Sequence, residues 1–360
     1  MSSRVSEDEV GARIEAMRRR PQRFRDERIT MAHGAGGKAS RALVEGMIVP
    51  LLACPALEQL SDAGLLTVGT ARLALTTDAF VVRPIRFPGG SIGDLAVNGT
   101  VNDLAVSGAR PVALSVALVL EEGLAADTLA AEIAAIAAAA RAADVPVITG
   151  DTKVVERGKC DSMYIVSTGV GVIDAGVALS PQFVQPGDKV LVSGTVGDHG
   201  VAILLARGDL DIEADVRSDT RPLWPLAAAL LAACGDGLHC MRDATRGGVA
   251  TVLNEIALAA ETGIVLEESR VPMRPEVIGA GEILGIDPLY VANEGKLVAF
   301  VAADVADAAL ATMRSMAAGA EAAIIGEVRA EPPGRVLGRT VFGGHRLIDM
   351  LVGDPLPRIC

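Results

Sequence analysis

Between Pro111 and Asp151 the chain reads PVALSVALVL, then DTLAAEIAAIAAAARAAD, then PVITGD. An apolar run of strand length, an Ala-rich helical run capped at Asp127 and a short strand ending at Asp151 predict helices layered on a sheet. The flanks repeat the theme. ARLALTTD alternates and predicts a strand from Ala71 to Asp78. FVVRPIRFPGGS is a Pro/Gly-rich connection, DLAVNGTVNDLAVSGA predicts a helix with Asp94 as its N-cap, and MYIVSTGVGVI is a further strand.

At 360 residues the chain exceeds one comfortable core, and a turn at Pro186, Gly187 and Asp188 marks a boundary. KVLVSG then opens a new strand. TVGDHGVAILLARG starts a helix, and RDATRGGVATVLNEIALAAETG is a loop followed by a helix. GIVLEES, KLVAFVAAD, a helix from Val305 to Ala318 and the strand AAIIGEV complete the second half. The expectation is an α/β (α+β) protein with an extension over 1–28, domains over 29–186 and 187–345, and a mobile tail over 346–360. Aromatic residues are 2% of the chain, so the cores are packed from Ala, Val, Leu and Ile.

The net charge of −12 argues against nucleic acid as a partner; Arg18, Arg19, Arg20, Arg23 and Arg25 read as a solvated arm. No apolar run reaches the length of a spanning helix, and MSSRVSEDEV is polar, so no membrane partner and a cytoplasmic location are expected. The cysteines, Cys54, Cys160, Cys234, Cys240 and Cys360, form no CxxC pair. Cys234 and Cys240 flank a turn containing His239, but the spacing matches no common zinc pattern.

Several constellations could carry chemistry. Asp62 (SDAG), Asp78 (TTD), Asp103 (NDLA), Asp151 (TGDTK) and Asp243 (MRDATRGG) sit near strand ends or in Gly/Thr/Asn-rich settings. Each alone could be a turn former; together they suit Mg²⁺ bridging carboxylates to a nucleotide. HGAGGKAS, His33 to Ser40, is either a flexible loop or a phosphate cradle with Lys38 as a point charge, and it is no Walker A sequence. Asn98 and Asn102 share a helix face with Asp94 and either satisfy a buried network or orient a phosphate or metal. NEGK is either a hairpin turn or the site of a general base, Glu294. The tail GDPLPRIC carries a thiol on a Pro-stiffened arm.

These motifs together resemble the HypE family of hydrogenase maturation factors. Its superfamily includes aminoimidazole ribonucleotide synthetase, selenophosphate synthetase and thiamin-monophosphate kinase. SDAG, TTDAF, NDLAVSGARP, TGDTK and RDATRGG match the superfamily; HGAGGK, the spacing through GDTKVV, NEGK and the terminal PRIC match the family, over Ile29 to Cys360. SDAG stands where relatives often carry paired aspartates. The resemblance implies a two-domain PurM-like fold whose four-stranded N-terminal sheet pairs with its twin in a homodimer to close a barrel. ATP and Mg²⁺ would lie between the domains. It implies Asp62, Asp78, Asp103 and Asp243 as metal ligands. His33, Gly34, Gly36, Gly37, Lys38, Thr77, Asn102, Asp151, Thr152, Arg246 and Gly247 would bind ATP. Cys360, Glu294 and Lys153 would be catalytic. The implied activity is ATP-dependent dehydration of a carbamoyl group on Cys360 to a thiocyanate. HypF would load the group, and the HypC–HypD pair would receive cyanide for the iron of [NiFe] hydrogenase. Two alternatives stand beside it. A selenophosphate synthetase would need a reactive cysteine that HGAGGKAS lacks, and a non-catalytic carrier would not need the acids.

Overall fold

The computed structural model describes residues 24–208, 214–353, 356 and 358–360. Of the predicted arm, Arg18, Arg19, Arg20 and Arg23 lie outside the described residues, as do Pro355 and Pro357 of the tail. Helices Lys38–Leu43 (α1) and Val49–Leu52 (α2), joined by a wider turn, lead into a five-stranded sheet. Its strands are Gly64–Val68 (β1), Ala71–Phe80 (β2), Ala109–Glu121 (β5), Val147–Val155 (β6) and Met163–Ile173 (β7), in the order β1-β2-β7-β5-β6. Arg86–Phe87 (β3) and Gly90–Ser91 (β4) form a small separate hairpin. Helix α3, Ile92–Val106, precedes β5, and α4, Ala126–Ala142, makes the crossover between β5 and β6, the one parallel pair of this sheet.

Alternation along the strands sends Leu114, Val116, Leu118 and Leu120 of β5, with Met163 and Ile165 of β7, into one core with α3 and α4. Among the described residues the opposite face has no covering layer, and Leu66, Val68 and Leu75 on it are exposed.

The second half holds a seven-stranded sheet of Lys189–Val192 (β8), Leu238–Asp243 (β9), Gly263–Glu267 (β10), Leu297–Val301 (β11), Ala323–Arg329 (β12), Arg335–Arg339 (β13) and His345–Ile348 (β14), ordered β14-β13-β10-β12-β8-β11-β9. Its helices are Asp198–Arg207 (α5), Trp224–Cys234 (α6), Gly248–Ala259 (α7), Pro275–Leu284 (α8) and Ala306–Arg314 (α9). All of β11 is buried: Val298 and Phe300 face a core shared with α7, while Leu297, Ala299 and Val301 face one shared with α6 and α9. Burial on both faces explains why LVAFV shows no alternation.

Helix α3 is the keystone. Every residue in it except Asp94 and Asp103 is buried. It therefore packs on its own sheet and also against the second half of the chain, and its polar residues must find protein partners. Asn102 donates to the carbonyls of Arg221 (3.1 Å) and Glu294 (3.0 Å) and accepts from the amide of Leu223 (2.8 Å). Gly99 allows the approach of Phe80: a Cβ there would lie 2.8 Å from the Phe80 ring.

Several expected boundaries shift. Ser91, not Asp94, holds the N-cap position of α3; Asp94 sits in the first turn and accepts from Ser91 Oγ at 3.0 Å. Ala125 likewise precedes α4 in place of Asp127. β2 runs past Asp78 to Phe80, and β6 past Asp151 to Val155, so Asp151 lies mid-strand. The first sheet has five strands rather than four because β1 folds back on β2. Residues 346–348, expected in the tail, instead continue a strand begun at His345 and pair with β13.

Asn102→Ala leaves one buried amide and two carbonyls without their side-chain partners. It should destabilise the protein by about 2–4 kcal/mol, read as a lower denaturation midpoint with unchanged slope; a midpoint equal to wild type would show that the two halves are not tied through Asn102.

Candidate active site

Strand alternation decides which residues of β2 reach the interior. Thr76 and Phe80 are buried on the side facing α3, and Asp78 shares that side; Thr77 is exposed on the other, sharing a hydrogen bond with Thr168 at 2.9 Å. The Thr77 hydroxyl, expected to bind nucleotide, is thus turned away from the acids, and Thr76 takes its place by donating to Asp103 at 2.7 Å. Asp62 in the turn before β1, Asp103 near the end of α3 and Asp243 at the end of β9 each bring one oxygen within 4.8 Å of the others. Asp78 joins them through a hydrogen bond with Asp103 and accepts from Thr100 Oγ1 at 3.4 Å.

Burial is the largest influence raising all four carboxyls, and neighbouring carboxylates add to it at Asp62, Asp103 and Asp243. Asp62 rises to about 6, with Arg242 at 3.2 Å opposing the shift. Asp103 rises well above the ordinary range through burial and the charges of Asp78, Asp243 and Asp62, and Asp243 through burial and Asp62. Four carboxylates this close cannot all ionise without a cation. A cluster of hard oxygen donors is the set that suits Mg²⁺, which tolerates open positions for water or phosphate.

NEGK is not a solvent-exposed turn: Asn293, Glu294, Gly295 and Lys296 are all buried. The reason is Asp219, whose carboxylate accepts from the amides of Glu294 (3.0 Å) and Gly295 (3.2 Å) and from Lys296 Nζ (3.0 Å). This leaves the Glu294 side chain buried with Oε1 unpartnered. Burial, then Asp243, Asp219 and Asp78, raise its pKa well above normal, with Arg246 opposing. Arg246 is the electrostatic junction: Cys360 is the strongest influence holding it charged, and after the opposing effect of burial come Asp78, Glu294 and Asp103.

The C-terminus enters this junction. The carbonyl of Cys360 accepts from the amide of Val81 at 3.0 Å, just beyond β2, and Ile359 and Leu356 are buried. Arg358 pairs with Asp161. The arm is therefore seated inward.

The glycine-rich segment sits beside the junction, with its side chains committed to protein. His33 uses both ring nitrogens, Nδ1 with the amide of Thr30 (2.9 Å) and Nε2 with Asp26 (2.9 Å). Lys38 pairs with Asp349 at 2.8 Å, and its amide donates to the carbonyl of Leu351. Arg246 donates to the carbonyl of Gly34 at 3.0 Å, and a Cβ on Gly36, at φ +76°, would lie 2.8 Å from the Arg246 side chain. Gly37 and Gly247 are buried beside the same contacts. Asn102, as described, has its amide fully engaged.

Asp151, Thr152 and Lys153 lie elsewhere. β6 is the sheet edge, and these residues are exposed there, Lys153 paired with Asp151 at 3.3 Å and Thr152 donating its amide to Asp151. Three strand spacings separate β6 from β2, about 14 Å. Within one chain Lys153 and Glu294 are not brought together. At the other turn considered for a metal, His239 pairs with Asp188 at 2.7 Å.

Sequence reasoning passed over Asp219, Lys296 as its partner, and His199. His199 is fully buried and hydrogen-bonded to the arm, and a histidine inside the apolar helix DHGVAILLAR was a signal available in the sequence.

The acids' raised pKa values set a pH dependence. The native state favours their protonated forms, so the cation-free protein should lose stability as pH rises from about 4, the unfolded value, through about 6 for Asp62 and beyond for Asp103 and Asp243. Thermal melts with chelator should show a lower midpoint at pH 8 than at pH 6, and millimolar Mg²⁺ should close the gap. A gap that Mg²⁺ leaves unchanged would contradict a cation site among these acids.

The family described as AIR synthase related protein matches in two parts, its N-terminal domain over residues 60–173 and its C-terminal domain over 185–338. Carbamoyl dehydratase HypE of Rhodobacter capsulatus is 52% identical over 340 residues, which cover 94% of this chain and 99% of that protein. Among solved structures, a HypE–HypF complex superposes with a TM-score of 0.82 at 41% identity, covering 86% of this chain and 100% of the other. HypE in complex with ATP superposes at 0.78 with 45% identity, covering 92% and 100%. The SDAG, RDATRGG and NEGK acids thus sit in a fold shared nearly end to end with these proteins, and the chain belongs to the HypE family of AIR-synthase-related proteins.

Proposed function

We propose that this chain is a carbamoyl dehydratase acting on its own C-terminal cysteine, using ATP and Mg²⁺ to convert a carbamoylated Cys360 thiol to a thiocyanate. The observation that carries the reading is the seating of the arm: the carbonyl of Cys360 accepts from the amide of Val81 at 3.0 Å, three residues beyond Asp78, and Ile359 is buried. A carrier that only ferried a group would have no use for a C-terminal residue anchored next to the strand that bears Asp78.

The chemistry balances as follows. The carboxamide oxygen attacks the γ-phosphorus of ATP, ADP leaves, and the amide nitrogen gives up one proton. The carbon–oxygen bond then breaks, phosphate departs with the oxygen, and the second N–H proton passes to a base as the carbon–nitrogen triple bond forms. Magnesium, when bound, supplies positive charge between Asp62, Asp78, Asp103, Asp243 and the triphosphate. Glu294 is the base: among the described residues its Oε1 has no hydrogen-bond partner, and while burial is the main cause raising its pKa, a cation held by the acids would offset the part that Asp243 and Asp78 add. Gly34, Gly36, Gly37, Arg246 and Gly247 border the phosphate side through backbone and guanidinium. Lys38 and His33 would join only by leaving Asp349 and Asp26.

Lys153 stands too far from Glu294 to act within one chain. Its place in the reaction is consistent with a homodimer in which a second copy covers the open face of the five-stranded sheet, where Leu66, Val68 and Leu75 are exposed. HypF is the proposed donor of the carbamoyl group, in keeping with the HypE–HypF complex, and a HypC–HypD pair the proposed acceptor of cyanide. The two matched segments support the proposed division near residue 187. Among the described residues no helix is long and apolar enough to cross a membrane.

Cys360→Ala should bind ATP normally and form no carbamoyl adduct when incubated with HypF, carbamoyl phosphate and ATP. Glu294→Gln should accept the adduct and then stall, with dehydration slowed by at least about 10²-fold. Intact mass reads both. Cyanated product from the Cys360→Ala protein would place the chemistry on another thiol and defeat the reading.

A further inference from the structure

The last three residues are held by their backbone atoms. The carbonyls of Cys360 and Arg358 accept from the amides of Val81 (3.0 Å) and Arg83 (3.3 Å), so the arm runs antiparallel to residues 81–83 and is held by their amides. The intervening carbonyl, that of Ile359, goes instead to His199 Nε2 at 2.6 Å. A carbonyl can only accept, so Nε2 carries the proton and Nδ1 is the acceptor, taking the hydroxyl hydrogen of Ser218 at 2.8 Å. The Ser218 oxygen in turn accepts from the amide of Thr220 at 3.2 Å. The imidazole is fully buried, with the Phe87 ring edge-on at 5.6 Å. The Ile359 side chain belongs to the same apolar cluster as Val82, Phe87 and Val201. Arg207, at the far end of the helix that begins beside His199, donates to the Arg358 carbonyl at 2.8 Å and to that of Arg83 at 3.0 Å.

Backbone pairing with 81–83 alone does not choose a register, since every residue of the arm offers a carbonyl. A slip of one residue would satisfy the same amides while turning each side chain to the opposite face. The contacts that distinguish the phases include the hydrogen bond from His199 to Ile359, the burial of Ile359 and the Arg358–Asp161 pair, and of these only His199 reaches the arm's backbone from within the apolar core. We propose that His199 is a positioning residue that fixes the phase of the C-terminal arm and thereby presents the Cys360 thiol to the acid cluster. Serine and threonine of the 218–220 loop set its tautomer, so the donor faces the arm before the arm arrives. This deepens the dehydratase reading and rests on it for the chemistry, but the seating of the arm is measurable without any carbamoyl group.

The test uses the full-length protein with His199→Leu, which removes the donor, His199→Gln, whose amide can still donate, and Ile359→Ala, which alters only the arm. The first readout is the rate at which iodoacetamide labels Cys360 in the unmodified protein, followed by peptide mass so that the exposed Cys54 does not confuse it. His199→Leu should label about five- to tenfold faster than wild type, the span of one lost hydrogen bond, and Ile359→Ala, which loses buried apolar surface, at least as much faster, with His199→Gln near wild type. The second readout is single-turnover dehydration of carbamoylated protein, which should fall by a similar factor in the first two variants and recover in the third, with the KM for ATP unchanged in all. Wild-type labelling and dehydration rates in both His199→Leu and Ile359→Ala would overturn the proposal. If labelling responds as expected while wild type fails to dehydrate its carbamoyl group, the positioning role stands and the dehydratase reading is the one that fails.

Discussion

Four carboxylates converge from four separate stretches of chain, Asp62, Asp78, Asp103 and Asp243, and burial raises the pKa of every one. A fold that relied only on hydrophobic burial would not gather them. Their crowding makes structural sense as the protein half of a site whose positive half is bound from solution. It also ties the acids to Glu294: burial first, and then Asp243, Asp219 and Asp78, raise its pKa. A cation among the acids would lower it by relieving the part that Asp243 and Asp78 contribute.

What holds the acids in register is a second set of buried polar contacts. Asp219 organises the Glu294 loop through two amides and Lys296, and Asn102 ties that loop to α3. Asp103 is the residue after Asn102. The helix that carries a metal-side acid therefore also grips the backbone of the proposed base. Breaking the Asp219–Lys296 pair would leave a buried charge uncompensated, which costs far more than an exposed pair. The tail adds the last member: it reaches the junction by strand-like pairing beside Asp78's own strand, so the thiol and the acids share one piece of scaffold.

Strand and helix types were legible from alternation and Ala-rich periodicity, and the acids from their place at strand ends and Gly-rich turns. The HypE-type motifs supplied Glu294 and Cys360 as candidates. Hydrogen-bond commitments were not legible, because they are decided by partners far along the chain. His33 and Lys38 were read as phosphate ligands although Asp26 and Asp349 engage them, and Asn102's partners lie more than a hundred residues away. Thr77 was chosen over Thr76 because TTD contains both, and only the side of β2 packed on α3 separates them. Asp151 and Lys153 adjoin the acids in motif but not in space, since β6 ends up at the sheet edge. Asp219 lies in a segment whose polar residues resemble ordinary turn chemistry until the Glu294 loop closes over it, and His199 stands out in an apolar helix although its partner in the tail is 160 residues away.

The central claim is that the seated arm is the substrate of the acid cluster. The direct measurement is an intact-mass time course of protein already carbamoylated on Cys360, started by adding ATP and Mg²⁺ with no partner present. Loss of the mass of one water from the peptide containing Cys360, in step with formation of one ADP, is the predicted result. ADP formation with the carbamoyl adduct left intact, or water lost from a peptide containing another cysteine, would contradict it.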